Sequence, residues 1–373
     1  MGELEGRLSR AATAGEYFVA KLVEPDGLTD LDVDWPDDVD LTFEQTKDGT
    51  WMLSGMVQTA KLHEFTLRGL IKGKKTTVNL RLPVSPDPWS MWKDLPVDWD
   101  TLPYPKEDTN SRRLVEDHVM IGASRRGRSH AHKGMPRDDE LRIAFDAVSG
   151  WHFLLVADGA GSAAYSRRGS QIAVEQARAH LTTSLPNDPH DKVTLRQSMT
   201  DAMHAAAEGL DAFAQKNGHA LNTLNTTLLV AIAKEIPGGW FLASMSVGDG
   251  LIGVVAQNQP PLMMTVDHGD FAGQTTFLRH DTIDPDRVHT RIVPDFTALI
   301  AMTDGVSDPM FTSQSAAADP AAWADLMARL ESAGVHPHNP EAHSALLDWL
   351  NFRVKGEHDD RTIAILYPDR GTK

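Results

Sequence analysis

Four apolar stretches in the C-terminal two-thirds of the chain stop or start on aspartate, and these junctions constrain the fold more than any other feature. His152 to Ala157 (HFLLVA) runs straight into Asp158-Gly159, and Thr297 to Thr303 (TALIAMT) runs into Asp304-Gly305. Trp240 to Val247 passes through Gly248 into Asp249-Gly250, and Thr362 to Tyr367 is entered through Asp359-Asp360. Short apolar runs bounded in this way read as buried strands. An Asp-Gly at a strand end sets a carboxylate on the rim of a sheet, with a glycine that lets the backbone turn or approach a ligand. A single Asp-Gly is a common turn with a solvated aspartate. Several ionised carboxylates converging on one rim would repel unless a cation neutralised them. All-oxygen ligands are hard, so the implied ions are Mg²⁺ or Mn²⁺ rather than zinc. A pair of such ions can bridge one water, lower its pKa and clamp a phosphate during in-line attack, which is the chemistry of a metal-dependent phosphoester hydrolase.

Between these strands lie helical patterns. The clearest puts Leu195, Met199, Met203, Ala206, Leu210 and Phe213 on one face at three- and four-residue steps. Others are expected over 170–181, 321–330 and 345–352. The N-terminal part reads differently: from Leu41 to Val84, Phe43, the Asp48-Gly49 turn, Trp51, Leu53, Phe65, Leu67, Val78, Leu80 and Leu82 mark short strands of a small antiparallel sheet. The run Asp30-Leu31-Asp32-Val33-Asp34-Trp35 lacks the glycine and glutamate of a calcium loop and reads as a solvated acidic edge. Residues 85–110 carry five prolines and the aromatics Trp89, Trp92, Trp99 and Tyr104 without a sustained period, as an extended linker would. The expected division is therefore a β-rich module over 1–84, whose run Phe43 to Leu67 faintly resembles an immunoglobulin-like strand pattern, a Pro/Trp-rich linker over 85–112 and the main domain over 113–373.

Composition narrows the functions. The formal charge of −16, with basic residues clustered only around Arg125 to Arg128, argues against a nucleic-acid partner. The chain has no cysteine, which excludes disulfides, thiolate metal sites and a cysteine nucleophile. No apolar run approaches the roughly 20 residues that span a bilayer, and the first residues lack the pattern of a signal peptide, so no membrane association and a cytoplasmic location are expected. There is no Gly-x-Ser-x-Gly elbow, no P-loop and no His-Glu-x-x-His pair.

Taken in order, residues 122–134 (GASRRGRSHAHKG) with Asp138-Asp139, 156–162 (VADGAGS), 225–230 (NTTLLV), 246–250 (SVGDG), 302–308 (MTDGVSD) and 358–362 (HDDRT) resemble the motifs of the bacterial metal-dependent serine/threonine protein phosphatases of the PPM, or type 2C, family. The resemblance covers about residues 115 to 370. It implies an α+β fold of two packed antiparallel β-sheets flanked by helices, here preceded by the small β-rich domain. It implies hydrolysis of phosphoserine and phosphothreonine by a hydroxide bridging two Mg²⁺ or Mn²⁺ ions, with a phosphoprotein as substrate and a cognate serine/threonine kinase opposite. By position, Asp158 resembles the aspartate that bridges both ions, and Gly159 the glycine whose carbonyl helps hold the second. Asp304 and Asp359 resemble the other ligands of the first. Asp139 matches the acidic residue that reaches the second, often through water, with Asp138 the weaker alternative. Asp249 resembles an aspartate that helps hold a third, looser ion, and Asp360 stands where the family usually has another residue.

The chain departs from the family in three places. Ala160 occupies the position where many members carry a histidine proposed as general acid, so the proton must come from water or another group, for which His130 is the nearest candidate. The spacing of the phosphate-binding arginine does not match, leaving Arg126, Arg128 and Lys133 in competition. The segment from Asp308 to Asp359 reads as helical, either packing on the sheet or forming a variable region with a part in substrate choice. Loss of the usual histidine also supports an alternative, a weakly active or inactive binding and sensing module on the same fold. A metallohydrolase of small phosphoesters is a third reading, with no base-binding motif to support it.

Overall fold

The computed structural model describes residues 2–36, 39–256, 260–265, 275–311 and 313–368. They form two compact units, residues 1–93 and 94–373. The first contains β1 (Gly2–Leu8), β2 (Ala12–Thr13), β3 (Tyr17–Glu24), β4 (Leu28–Asp34), β5 (Val39–Gln45), β6 (Trp51–Val57), β7 (Leu62–Ile71) and β8 (Lys74–Ser85). The sheet runs β4-β7-β8-β1-β3-β6-β5, with β2 also on β8, and β8 pairs in parallel with both β1 and β2. Phe18, Leu53, Phe65, Leu67, Val78, Leu80 and Leu82 form its core. The expected strands after Leu41 are present as β5 to β8, and β1 to β4 add to them. Strand β3 alternates buried Phe18, Ala20 and Leu22 with exposed Tyr17, Val19 and Lys21. Its period-2 signal is blurred in the sequence because two of the outward residues are themselves large and apolar. The acidic run is edge strand β4, with Asp30, Asp32 and Asp34 exposed, which discourages edge pairing.

The second unit contains β9 (Thr109–Val115), β10 (His118–Arg125), α1 (Arg128–Lys133), β11 (Glu140–Asp146), β12 (Trp151–Ala157), α2 (Ser166–Ser184), α3 (Lys192–Asn217), β13 (Leu228–Ile236), β14 (Gly239–Val247), β15 (Leu251–Val255), β16 (Leu262–Met263), β17 (His289–Val293), β18 (Ala298–Met302), α4 (Asp304–Met310), α5 (Gln314–Ala317), α6 (Pro320–Ser332), α7 (Ala342–Trp349) and β19 (Arg361–Tyr367). One sheet has the order β16-β15-β18-β19-β10-β9 and the other β11-β12-β13-β14-β17, and every strand pair in both is antiparallel.

The two sheets pack face to face, and the alternation of side chains shows how. In β12, Leu154 and Val156 enter the core between the sheets while Phe153, Leu155 and Ala157 enter a second core against α2 and α3. In β19, Ala364 and Leu366 face the inter-sheet core while Ile363 and Ile365 meet Trp323, Leu326, Leu330 and Leu346 of α6 and α7. A strand covered on both faces needs apolar residues at every position, which is why these segments read as unbroken runs. Leu195, Met199, Met203, Ala206 and Leu210 of α3 all lie in the core, as their spacing predicts. The helices after Asp308 pack on the outer face of the six-stranded sheet.

The expected linker is shorter than its composition suggests. Residues from Asp94 onward belong to the second unit: Leu95 donates its amide to the Ala131 carbonyl at 2.9 Å, Tyr104 packs edge-on against Tyr165 and Phe213, and β9 begins at Thr109. Prolines break the period there without freeing the chain from the domain. No helix among the described residues is long and apolar enough to cross a membrane.

Candidate metal centre

Sheet register brings the acidic junctions to one rim. Glu140 pairs with Ala157, so Asp139, just before β11, lies across from Asp158, just after β12. Leu228 pairs with Val247, placing Thr226 and Thr227 beside the exit of β14 toward Asp249. Strand β14 then crosses to the other sheet, because Leu251 of β15 pairs with Met302 of β18 immediately before Thr303-Asp304. Met302 pairs in turn with Ile363, which brings in Asp359 and Asp360. The Asp158 backbone is pinned by the 225–230 motif: its amide donates to Thr227 Oγ1 at 2.9 Å, and its carbonyl accepts from the Thr227 amide and Thr226 Oγ1, each at 2.8 Å. Two glycines permit the approach. A Cβ on Gly305 would stand 1.9 Å from the Asp360 carbonyl oxygen, and one on Gly159 would stand 2.6 Å from that of Asp138.

Carboxylate oxygens of Asp158, Asp249 and Asp304 lie within 4.8 Å of one another, and His130, Asp359 and Asp360 form a second group by the same measure. Asp139 is buried, and its Oδ2 accepts from Thr303 Oγ1 at 2.9 Å and Thr362 Oγ1 at 2.7 Å. Its Oδ1 is buried without a hydrogen-bond partner, as is Oδ1 of Asp249.

The charges divide into two sets. Lys106, Arg137, Arg167 and His130 sit against Asp138, Glu140 and Asp360, within ion-pair distance. Asp139, Asp158, Asp249, Asp304 and Asp359 have no such cation among the described residues. Burial, then the neighbouring carboxylates, pushes Asp139 up to about 7 and Asp304 up to about 8, and raises Asp158 well above the usual carboxylate range. Asp359 is raised by the same two causes. Orphaned hard oxygens amid unneutralised acids fit a divalent cation of the Mg²⁺ or Mn²⁺ type.

The other expected residues are placed as follows. Arg126 directs its guanidinium to Asp94 Oδ1 at 2.5 Å and to the carbonyls of Leu95 and Met135. Arg128, in the first turn of α1, donates to Asn351 Oδ1 at 3.4 Å, and the next residue, Ser129, donates its amide to the His358 carbonyl at 2.9 Å. Lys133 is exposed at the end of α1, and Ala160 is half-buried. His130 is buried with Nδ1 2.9 Å from Asp360 Oδ1 and Nε2 3.4 Å from Asp138 Oδ2. Burial alone would lower its pKa; Asp360, then Asp138 and Asp359, hold it up at about 9. Asp138 turns to Arg167, whose Nε donates to Oδ1 at 2.9 Å.

Several residues escaped sequence reasoning. Lys106 is buried and donates to the Asp139 carbonyl at 2.6 Å, the Asp138 carbonyl at 3.1 Å and Ser170 Oγ at 3.0 Å. Arg137 donates to the Glu107 carbonyl, Ser124 Oγ and the Asp139 carbonyl. Neither carries a motif signal, since the main partners are backbone carbonyls. Thr303 and Thr362 could have been found, because both lie inside acidic motifs.

Residues 126–351, well over half of the chain, match the family described as Protein phosphatase 2C. Solved structures to which the chain is similar include serine/threonine phosphatase Stp1 from Staphylococcus aureus, at 14% identity over 70% of this chain and 98% of that one, with a TM-score of 0.46. The catalytic domain of serine threonine protein phosphatase PstP in complex with two manganese ions is similar at 17% identity, 67% and 97% coverage and a TM-score of 0.44. Serine-threonine phosphatase 2C from Toxoplasma gondii is similar at 16% identity, 70% and 99% coverage and a TM-score of 0.45. No curated protein matches the sequence.

Proposed function

The chain belongs to the protein phosphatase 2C family, and from that premise we propose that it hydrolyses phosphoserine and phosphothreonine on proteins with Mg²⁺ or Mn²⁺ held by the rim aspartates. The carrying observation is the set of five carboxylates at one rim, Asp139, Asp158, Asp249, Asp304 and Asp359, without a cationic side-chain partner among the described residues. When bound, such ions supply the positive charge that activates a water and offsets the charge of the phosphate in the transition state. In this reading Asp158, Asp304 and Asp359 would hold one ion, and Asp158, Asp139 and the Gly159 carbonyl would hold a second. Asp249 serves a third, looser one. Thr303 and Thr362 keep Oδ2 of Asp139 occupied, which supports Oδ1 as its outward donor. Arg128, which lies beside the 358–360 segment, is the phosphate contact we favour. The leaving alkoxide takes its proton from water. The substrate is a phosphoprotein made by a serine/threonine kinase in the cytoplasm.

The test is manganese-dependent release of phosphate from a phosphothreonine peptide by the full chain, alongside Asp158→Asn and Asp304→Asn. Activity that requires metal and is lost in both variants is expected. An inactive metal-loaded wild type would instead favour a binding and sensing module, the reading that Ala160 supports, and undiminished variants would overturn the assignment of the centre.

A further inference from the structure

Asp360 is the acid at the rim that the metal reading leaves without a task. It is buried, and each carboxylate oxygen is already taken: Oδ1 accepts from the Gly127 amide at 2.6 Å and from His130 Nδ1 at 2.9 Å, and Oδ2 accepts from the Asp138 amide at 2.5 Å. Its own amide donates to Asp359 Oδ1 at 2.8 Å. One side chain therefore ties together the residue before α1, the residue before Asp139, and the segment carrying Asp359. All three of its partners donate. A carboxylate can accept from all of them, whereas an asparagine would turn an NH₂ toward at least one N–H.

A further buried anion beside the rim aspartates would deepen their repulsion unless it were neutralised. His130 does this, and the series continues. Its Nε2 lies 3.4 Å from Asp138 Oδ2, and Asp138 Oδ1 takes Arg167 Nε at 2.9 Å. Asp360, His130, Asp138 and Arg167 thus alternate in sign, and both carboxylate oxygens of Asp360 are engaged by protein donors.

We infer that Asp360 is a positioning residue of the metal centre, fixing Asp139 and Asp359 through the Asp138 and Asp359–Asp360 backbone, and that His130 is the buried counter-ion that makes an acid tolerable there. This rests on the metal reading of the rim. It gives His130 a role other than proton donor, and the two roles predict different kinetics. Loss of an outer partner that orients ligands typically lowers metal affinity by about 10- to 100-fold. A lost general acid instead slows only a substrate with a poor leaving group.

The experiment measures manganese binding by calorimetry on the full chain for wild type, Asp360→Asn and His130→Gln. Hydrolysis of p-nitrophenyl phosphate and of a phosphothreonine peptide is then followed against manganese concentration. The expected result is that both variants bind manganese about 10- to 100-fold more weakly. Both substrates should suffer alike, and saturating manganese should restore much of the rate, which a mere loss of folded protein would not allow. Circular dichroism checks folding, and if Asp360→Asn does not fold, His130→Gln decides alone. Unchanged manganese affinity in the folded variants overturns the inference. So does a loss in His130→Gln confined to the phosphothreonine peptide, which would make His130 the acid. A wild type that binds no manganese refutes the metal reading itself.

Discussion

If the rim carboxylates are held up by burial and by each other, metal binding must displace protons, and the size of that effect follows from the structure. Asp139 is pushed up to about 7 and Asp304 up to about 8, against an ordinary value of 3.8. Between those limits the folded protein without metal holds protons that the unfolded chain has released. Raising the pH through this window therefore weakens the fold. A divalent cation binds the ionised forms, so the protons that Asp139, Asp158 and Asp304 hold leave as it enters. Its apparent affinity should therefore rise steeply with pH from the ordinary carboxylate range up to about pH 8. Two assays check this: calorimetric manganese titration from about pH 5.5 to about pH 8.5, and thermal unfolding in chelator and in manganese over the same range. The stabilisation by manganese should grow with pH through the window. An affinity flat between about pH 5.5 and about pH 7 would refute the argument, because it would mean that no carboxyl at the site is protonated before the metal arrives.

Lys106→Met should destabilise the second unit by about 1–3 kcal/mol in urea unfolding, because it removes one of the two cations beside Glu140, leaving Arg137, and a charged donor to the Asp138 and Asp139 carbonyls. Gly253→Ala should also destabilise, since the added methyl would stand 2.3 Å from the buried Trp323 ring; Trp323→Ala should cost about 3–5 kcal/mol through the cavity it leaves. His152 is lowered to about 4, by burial first and then by His118 beside it. Its folded value lies below the unfolded 6.5, so stability present above pH 6.5 is lost as pH falls toward about 4, and His152→Phe should flatten that acid limb in thermal scans.

The rim was legible because strands covered on both faces betray themselves as unbroken apolar runs, and an Asp-Gly at the end of such a run has few places to go. Asp158, Asp249 and Asp304 were found in this way, and their common position follows from strand register. What surrounds them was not legible. Lys106 lies in a proline-rich stretch, and its hydrogen bonds go to carbonyls more than 30 positions away, contacts that leave no periodic or motif trace. His130 stood out as a histidine, but its ring is set by Asp360, 230 positions on, and its partners decide its chemistry. The start of the second unit was hidden by its prolines, and β3 by the outward Tyr17 and Val19 that blur its alternation.

The central claim is that the rim aspartates hold metal, and the most direct test is anomalous scattering from crystals of the full chain grown with manganese and measured at its absorption edge. Peaks are expected bounded by Asp158, Asp304, Asp359 and Asp139, with His130 and Asp360 outside the ligand set. No peak at the rim, or a peak held by His130 and Asp360, would contradict that claim.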